Sequence, residues 1–229
     1  MKIVYFHGFG SSGASGTVEI LRRIFPDDEI IAPDIPIEPL EALPYLKQYC
    51  EEQQPDIIIG TSMGGMYAHQ MKGFKRICVN PALNMSTGAG LKTGVHKFFN
   101  RRRDNQKEFK VTRELIQHHN QIERQQFKDI TDDDREKCYG LFGINDPVVK
   151  TYDLFHKYYP NAQRFEGEQT KTEAHRPRTA TQQPLRPAAV HPRFLQRSRH
   201  LHPDLATASP QRYPHRQIQT IVKLIKHHE

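Results

Sequence analysis

Asp56-Ile57-Ile58-Ile59-Gly60-Thr61-Ser62-Met63-Gly64-Gly65 is the stretch on which the reading of this chain turns. Three consecutive isoleucines suit a strand buried on both faces, as in a parallel sheet. The residues that follow, Met66-Tyr67-Ala68-His69-Gln70-Met71, are compatible with a helix. Residues 60–65 would then form a tight strand-to-helix turn, closed by small residues at Gly60 and Gly64, with the Ser62 hydroxyl presented as a nucleophile. The pattern GxSxG also recurs by chance, and the alternative is a glycine-rich turn that binds a phosphate or nothing.

Similar short apolar runs occur at residues 3–6, 29–32, 76–79, 138–142 and 162–165. Helical patterns separate them. Residues 17–25 place Val18, Leu21, Ile24 and Phe25 on one face, and residues 39–52 do the same with Leu40, Leu43, Leu46 and Tyr49. A further helix is expected over 148–159, after Pro147, a favoured first helical residue. Strands spaced by helices predict right-handed βαβ units and a doubly wound, mostly parallel sheet of the α/β class. The 229 residues suit one domain with a sizeable core.

Two stretches break the rhythm. Residues 84–131 hold a polar helical pattern at 110–128 and the basic run Arg101-Arg102-Arg103. They are expected to form a helical cap over a ligand crevice, or else a solvated helical excursion. Residues 169–214 hold seven prolines, four histidines, no glycine and no isoleucine. That is the composition of a disordered segment or an insertion, and it also resembles out-of-frame translation. The amphipathic pattern resumes at 217–228, with Ile218, Ile221, Val222 and Ile225 in register.

The same segment explains the charge. The chain carries a formal +7, yet residues 169–214 alone hold eight basic and two acidic residues, leaving +1 for everything else. Nucleic-acid binding by the whole protein thereby loses its main support. Hydrophobic residues make up only 36% and the mean hydropathy is −0.73. No apolar run approaches the ~18 residues of a membrane span. The chain opens on a strand-like MKIVYF without the apolar core of a signal peptide. Cys50, Cys78 and Cys138 are an odd number, far apart, which argues against a disulfide framework and for a reduced compartment. A cytoplasmic location is expected.

A serine hydroxyl needs a base, itself oriented by a carboxylate, and on this kind of turn the chain order is serine, acid, histidine. Asp146 follows the run at 138–142 and precedes a helical pattern, so it fits the acid; it is also a good helix N-cap. Asp34 follows a strand too, but comes before the serine. After the first strand, His7-Gly8-Phe9-Gly10-Ser11-Ser12 can form a loop that aims the Phe9 N–H at a developing oxyanion, paired with the N–H of Met63. His7 also precedes the serine and is read as a loop-ordering residue. His69 is expected at the surface or the core edge. His118-His119 and His227-His228 are adjacent pairs whose side chains would point apart on a helix, so chelation is not expected. No metal motif, Walker A or dinucleotide fingerprint is present.

HGFGSS at 7–12, GTSMGG at 60–65, Asn80-Pro81-Ala82 and GINDPVV at 143–149 together resemble the YqiA-like esterases, a family of small single-domain α/β-hydrolases that cleave short acyl esters. The resemblance covers about residues 1–168 and implies Ser62 as nucleophile and Asp146 as acid. The family's histidine stands in a Gly-x-His-Arg just before the final helix. Here Gly167-Glu168 is followed by Gln169, and His215-Arg216 comes 46 residues later, directly before residues 217–228. His215 is the expected base, with His175 as the runner-up. The resemblance implies a serine esterase working through an acyl-enzyme on a small-molecule ester, with no cofactor, no nucleic acid and no membrane. The rival reading is a catalytically impaired hydrolase-fold protein that binds a small molecule or partner; a weaker one is a basic arm at 169–214 that binds RNA or an acidic partner.

Overall fold

The computed structural model describes residues 1–87, 91–146 and 149–165. All six apolar runs are strands: β1 (Lys2–Phe6), β2 (Glu29–Ile31), β3 (Ile57–Thr61), β4 (Lys75–Val79), then β7 (Cys138–Gly143) and β8 (Ala162–Phe165). They form one sheet in the order β2-β1-β3-β4-β7-β8, and every pairing in it is parallel. The alternation of a strand sends its side chains to two faces, and both are buried. Ile3, Tyr5, Ile57, Ile59, Ile77, Val79 and Leu141 pack with Val18, Leu21 and Phe25 on and beside α1 (Gly16–Ile24). Val4, Phe6, Ile58, Cys78 and Phe142 face the other way. Against them lie α2 (Pro39–Gln53), α3 (Met63–Ala68), α4 (Arg113–Gln125) and α6 (Tyr152–Tyr158).

Three expectations need correction. In α2 the buried residues are Pro39, Ala42, Leu46 and Cys50, while Leu40 is 38% exposed. The helix is turned so that small residues meet the sheet, where close approach counts for more than side-chain size. The final described helix starts at Tyr152, later than the pattern suggested, and the Thr151 side chain before it makes no capping hydrogen bond. The region 84–131 is not wholly helical. It contains an antiparallel pair, β5 (Gly94–Lys97) and β6 (Glu108–Val111), before α4. β5 lies mostly toward solvent and carries no apolar alternation; β6, Glu108-Phe109-Lys110-Val111, does alternate, but over only four residues that run into the helical pattern at 110–128.

A buried ion pair ties β4 to the short helix α5 (Asp132–Glu136). Arg76, fully buried, reaches Asp134 at 3.2 Å and also donates to the backbone carbonyls of His69 and Asp134. Asp134 completes a capping box with Thr131 at the start of α5. Cys50, Cys78 and Cys138 are buried free thiols.

Candidate active site

β1 lies between β2 and β3, so the chain leaves β1 to one side and returns on the other. The connections diverge at the carboxyl ends of β1 and β3, a topological switch point of the kind at which open parallel sheets hold ligands. Ser62 sits at this point, between β3 and α3, with φ 53° and ψ −118°. An L-residue in such a conformation costs on the order of 1–3 kcal/mol and persists only when its surroundings over-determine it. They do so here. The Ser62 N–H donates to the Val79 carbonyl at 3.0 Å, and the Ser62 carbonyl accepts from the N–H groups of Gly65, Met66 and Ala82 at 3.0–3.1 Å. A methyl group on Gly64 would fall on the carbonyls of Phe6 and His7, and one on Gly60 would fall on the Gly64 carbonyl. Only glycine lets α3 press this closely against the strand ends.

The loop after β1 runs beside the serine. A methyl on Gly8 would lie 3.6 Å from Ser62 Cβ. His7 is 1% exposed: its Nδ1 pairs with the Gly8 carbonyl at 2.8 Å, and its Nε2 accepts the Ile35 N–H at 3.0 Å. Nδ1 therefore carries the proton. Burial pushes the His7 pKa down to about 4, so the ring stays neutral and occupied, ordering the loop as read. Asp34 takes no place beside Ser62. It accepts N–H bonds from Gly13 at 2.7 Å and Arg103 at 2.6 Å, lashing the β1 loop to the insertion. Burial acts to raise its carboxyl, but these two N–H groups prevail and hold it below the usual aspartate range. Three more bonds join the same pieces: Phe99 N–H to the Gly10 carbonyl, Asn100 Nδ2 to Ser11 Oγ, and Ser12 Oγ to the Arg101 carbonyl. Phe9 is half-buried, its ring edge-on to Phe109 at 5.2 Å. Met63 is buried as the first residue of α3, where helix N–H groups lack intrahelical partners.

Asp146 lies beyond the end of β7, one strand removed from β3, and is 5% exposed. Its Oδ1 accepts the Val149 N–H at 2.9 Å, a local turn that is separate from the α6 N-cap. Asn80, at φ 41°, accepts the Gly143 N–H on its Oδ1 at 2.8 Å and donates its own N–H to the Leu141 carbonyl. Thr151 Oγ donates to the Pro81 carbonyl at 2.6 Å. Asn80 and Pro81 thus pin the loop bearing Asp146 to the end of β4, a function that residue type alone did not disclose. His215 and His175 lie outside the described residues, as do the 169–214 segment and residues 217–228.

The remaining histidines are placed differently from one another. His69 is fully buried in the core, a correction to the expected surface or edge position; it pairs with Gln126 and Tyr159 and stacks on Phe127. Burial pushes its pKa down to about 3. His118 pairs with Glu38 at 2.8 Å, whereas His119 turns into the core. Among the described residues no group of three or more His, Cys, Asp or Glu could hold a metal ion, and no helix is long and apolar enough to cross a membrane. A groove of about 730 Å³ lies between the segments 34–45 and 102–115, lined by Glu38, Tyr45, Arg102, Phe109 and Leu115 among others. Ser62 does not line it, so the groove is distinct from the surface around the serine turn.

The parallel sheet, its switch point and the strained serine turn define an α/β-hydrolase fold. Within that class, the chain belongs to the Uncharacterised protein family (UPF0227), whose profile matches residues 2–172, in agreement with the YqiA-like resemblance. No curated protein matches the chain. Among solved structures, Est1E from Butyrivibrio proteoclasticus, with ferulic acid bound, is 14% identical over 73% of this chain and 79% of its own, with a TM-score of 0.54. A monoacylglycerol lipase from Paleococcus ferrophilus is also 14% identical, over 73% and 84%, at a TM-score of 0.51. Mouse alpha/beta hydrolase domain-containing protein 10 is 11% identical over 73% and 81%, at 0.50. At these identities the likeness is one of fold.

Proposed function

We propose that this protein is a serine esterase acting on short acyl esters. The observation that carries the reading is Ser62, held at φ 53° on the strand-to-helix turn and flanked by the Gly8-Phe9 loop at the sheet's switch point. Two of the fold's structural neighbours, Est1E and the monoacylglycerol lipase, bear esterase or lipase names, which supports hydrolase chemistry on this scaffold. In the proposed mechanism Ser62 Oγ attacks the ester carbonyl as His215 removes its proton. The N–H groups of Phe9 and Met63 receive the oxyanion, each such donor typically being worth ~3 kcal/mol of barrier. Asp146 orients the imidazole. Water, activated by the same histidine, then hydrolyses the acyl-enzyme. The substrate is a small-molecule ester and the chemistry requires no cofactor.

The test is hydrolysis of p-nitrophenyl acetate and butyrate by wild type, Ser62→Ala, Asp146→Asn and His215→Ala. Loss of kcat by about 10³-fold or more in Ser62→Ala is expected, with large losses at the other two positions. An unaffected His215→Ala beside an inert Ser62→Ala would move the base to His175. The second reading, a hydrolase-fold binding protein without turnover, is favoured by the 46 residues that separate Glu168 from His215. It is the outcome if wild type is no faster than Ser62→Ala.

A further inference from the structure

Besides the Ser15 hydroxyl, two polar side chains in the described core have no hydrogen-bond partner among the described residues. Both ring nitrogens of His119 and the hydroxyl of Tyr67 are buried and unpaired among the described residues, although each residue is fully buried. Buried polar atoms are almost always satisfied, and each orphan costs on the order of 1–3 kcal/mol. Phenylalanine at either position would fill the space without that cost. The pair also stand close to the serine turn. Tyr67 is on α3, the helix that follows Ser62. His119 is on the buried face of α4 with Leu115 and Ile122, and its ring meets the ring of Phe9 edge-on at 6.4 Å. Tyr67 belongs to one core cluster with Leu115 and Ile122, the residues that share the buried face of α4 with His119, and Phe9 packs against that same cluster. Burial pushes the His119 pKa down to about 4, so at neutral pH the ring offers one N–H and one acceptor nitrogen.

We infer that Tyr67 and His119 form a polar subsite behind Phe9 that recognises an oxygen on one arm of the substrate ester, two or three atoms from the scissile carbonyl. The inference rests on the esterase reading. An ester whose carbonyl oxygen lies against the Phe9 N–H has an arm within reach of the Phe9 side chain, which is half-buried and packs mainly edge-on to Phe109. Rotation of that ring admits the arm to the imidazole and phenol behind it. Buried polar groups without a partner among the described residues then gain one on binding, which is how a site comes to prefer a polar substrate over its hydrocarbon isostere.

The isosteric pair p-nitrophenyl methoxyacetate and p-nitrophenyl butyrate tests this, since they differ by an ether oxygen in place of a methylene. The readout is the ratio of kcat/KM for the two esters. It is expected to fall by about threefold to tenfold in Tyr67→Phe and in His119→Phe relative to wild type. Melting temperatures should be unchanged or raised, because an orphan has been removed. His119→Gln, which keeps a donor, should recover part of the ratio. A ratio unchanged within about twofold in both phenylalanine variants overturns the proposal, as does an equal slowing on both esters with a lowered melting temperature, the signature of a structural role. A second measurement leaves Tyr67 and His119 intact: in Ser62→Ala, the ¹⁵N resonances of the His119 ring should shift with ethyl methoxyacetate and not with ethyl butyrate. Equal shifts, or none, count against the subsite. Failure of the esterase reading is separately visible, because Ser62→Ala would then match wild type on both p-nitrophenyl esters, and the inference falls with it.

Discussion

Single residues at the serine turn are constrained by backbone, not by side-chain chemistry. Gly64 faces the carbonyls of Phe6 and His7, groups that belong to β1 and its loop and cannot swing aside. Gly64→Ala is therefore expected to cost about 3 kcal/mol or more of stability and to abolish hydrolysis, checked by urea denaturation and by the same chromogenic esters. Gly73, with a positive φ of 83° and nothing within reach of an added methyl, is a useful contrast: alanine there meets conformational strain alone, on the order of 1 kcal/mol, and leaves activity intact. The GxSxG spacing announced Gly60, Ser62 and Gly64 in the sequence because a tight turn admits so few residue types. Asn80 and Asp34 gave no such signal. Each works by taking an N–H from a loop distant in the chain, and a polar residue after a strand looks the same whichever loop it binds.

Secondary elements were legible in proportion to their burial. The six core strands announced themselves as apolar runs, whereas β5 and β6, with mostly solvent-facing side chains, did not. The buried face of α2 was misread for a related reason: Ala42 and Cys50 carry little hydrophobic weight, yet they let the helix approach the sheet. The insertion's attachment to the β1 loop gives a prediction at this scale. Asp34→Ala removes both N–H contacts that lash residues 13 and 103 together. On the proposed reading kcat should fall by about tenfold with a smaller change in KM, since the Phe9 donor loses its alignment while the serine turn remains. Asp134→Ala acts elsewhere. It leaves the Arg76 guanidinium buried without its counter-charge and should cost about 3–5 kcal/mol in a denaturant titration.

At the scale of the molecule, the three buried histidines among the described residues weaken the fold in acid. Burial lowers His7 to about 4, His69 to about 3 and His119 to about 4. The unfolded chain protonates these rings near pH 6.5, while the folded chain keeps them neutral until far lower pH. Stability therefore declines as pH falls from about 6.5 towards 4, each ring contributing as much as ~3 kcal/mol at the bottom of that window. The held-down carboxyls of Asp34 and Asp134 add their losses only as pH approaches the ordinary aspartate range, and Glu123, pushed up by burial, works weakly in the opposite sense. The urea midpoint should thus be clearly lower at pH 5 than at pH 7. One last consequence follows from Ser62 itself. At φ 53° and ψ −118° the backbone there favours glycine, so Ser62→Gly is expected to raise the melting temperature even as it removes the hydroxyl. Stability and chemistry pull in opposite directions at that one position. A screen for heat resistance alone would select the glycine and discard the proposed nucleophile.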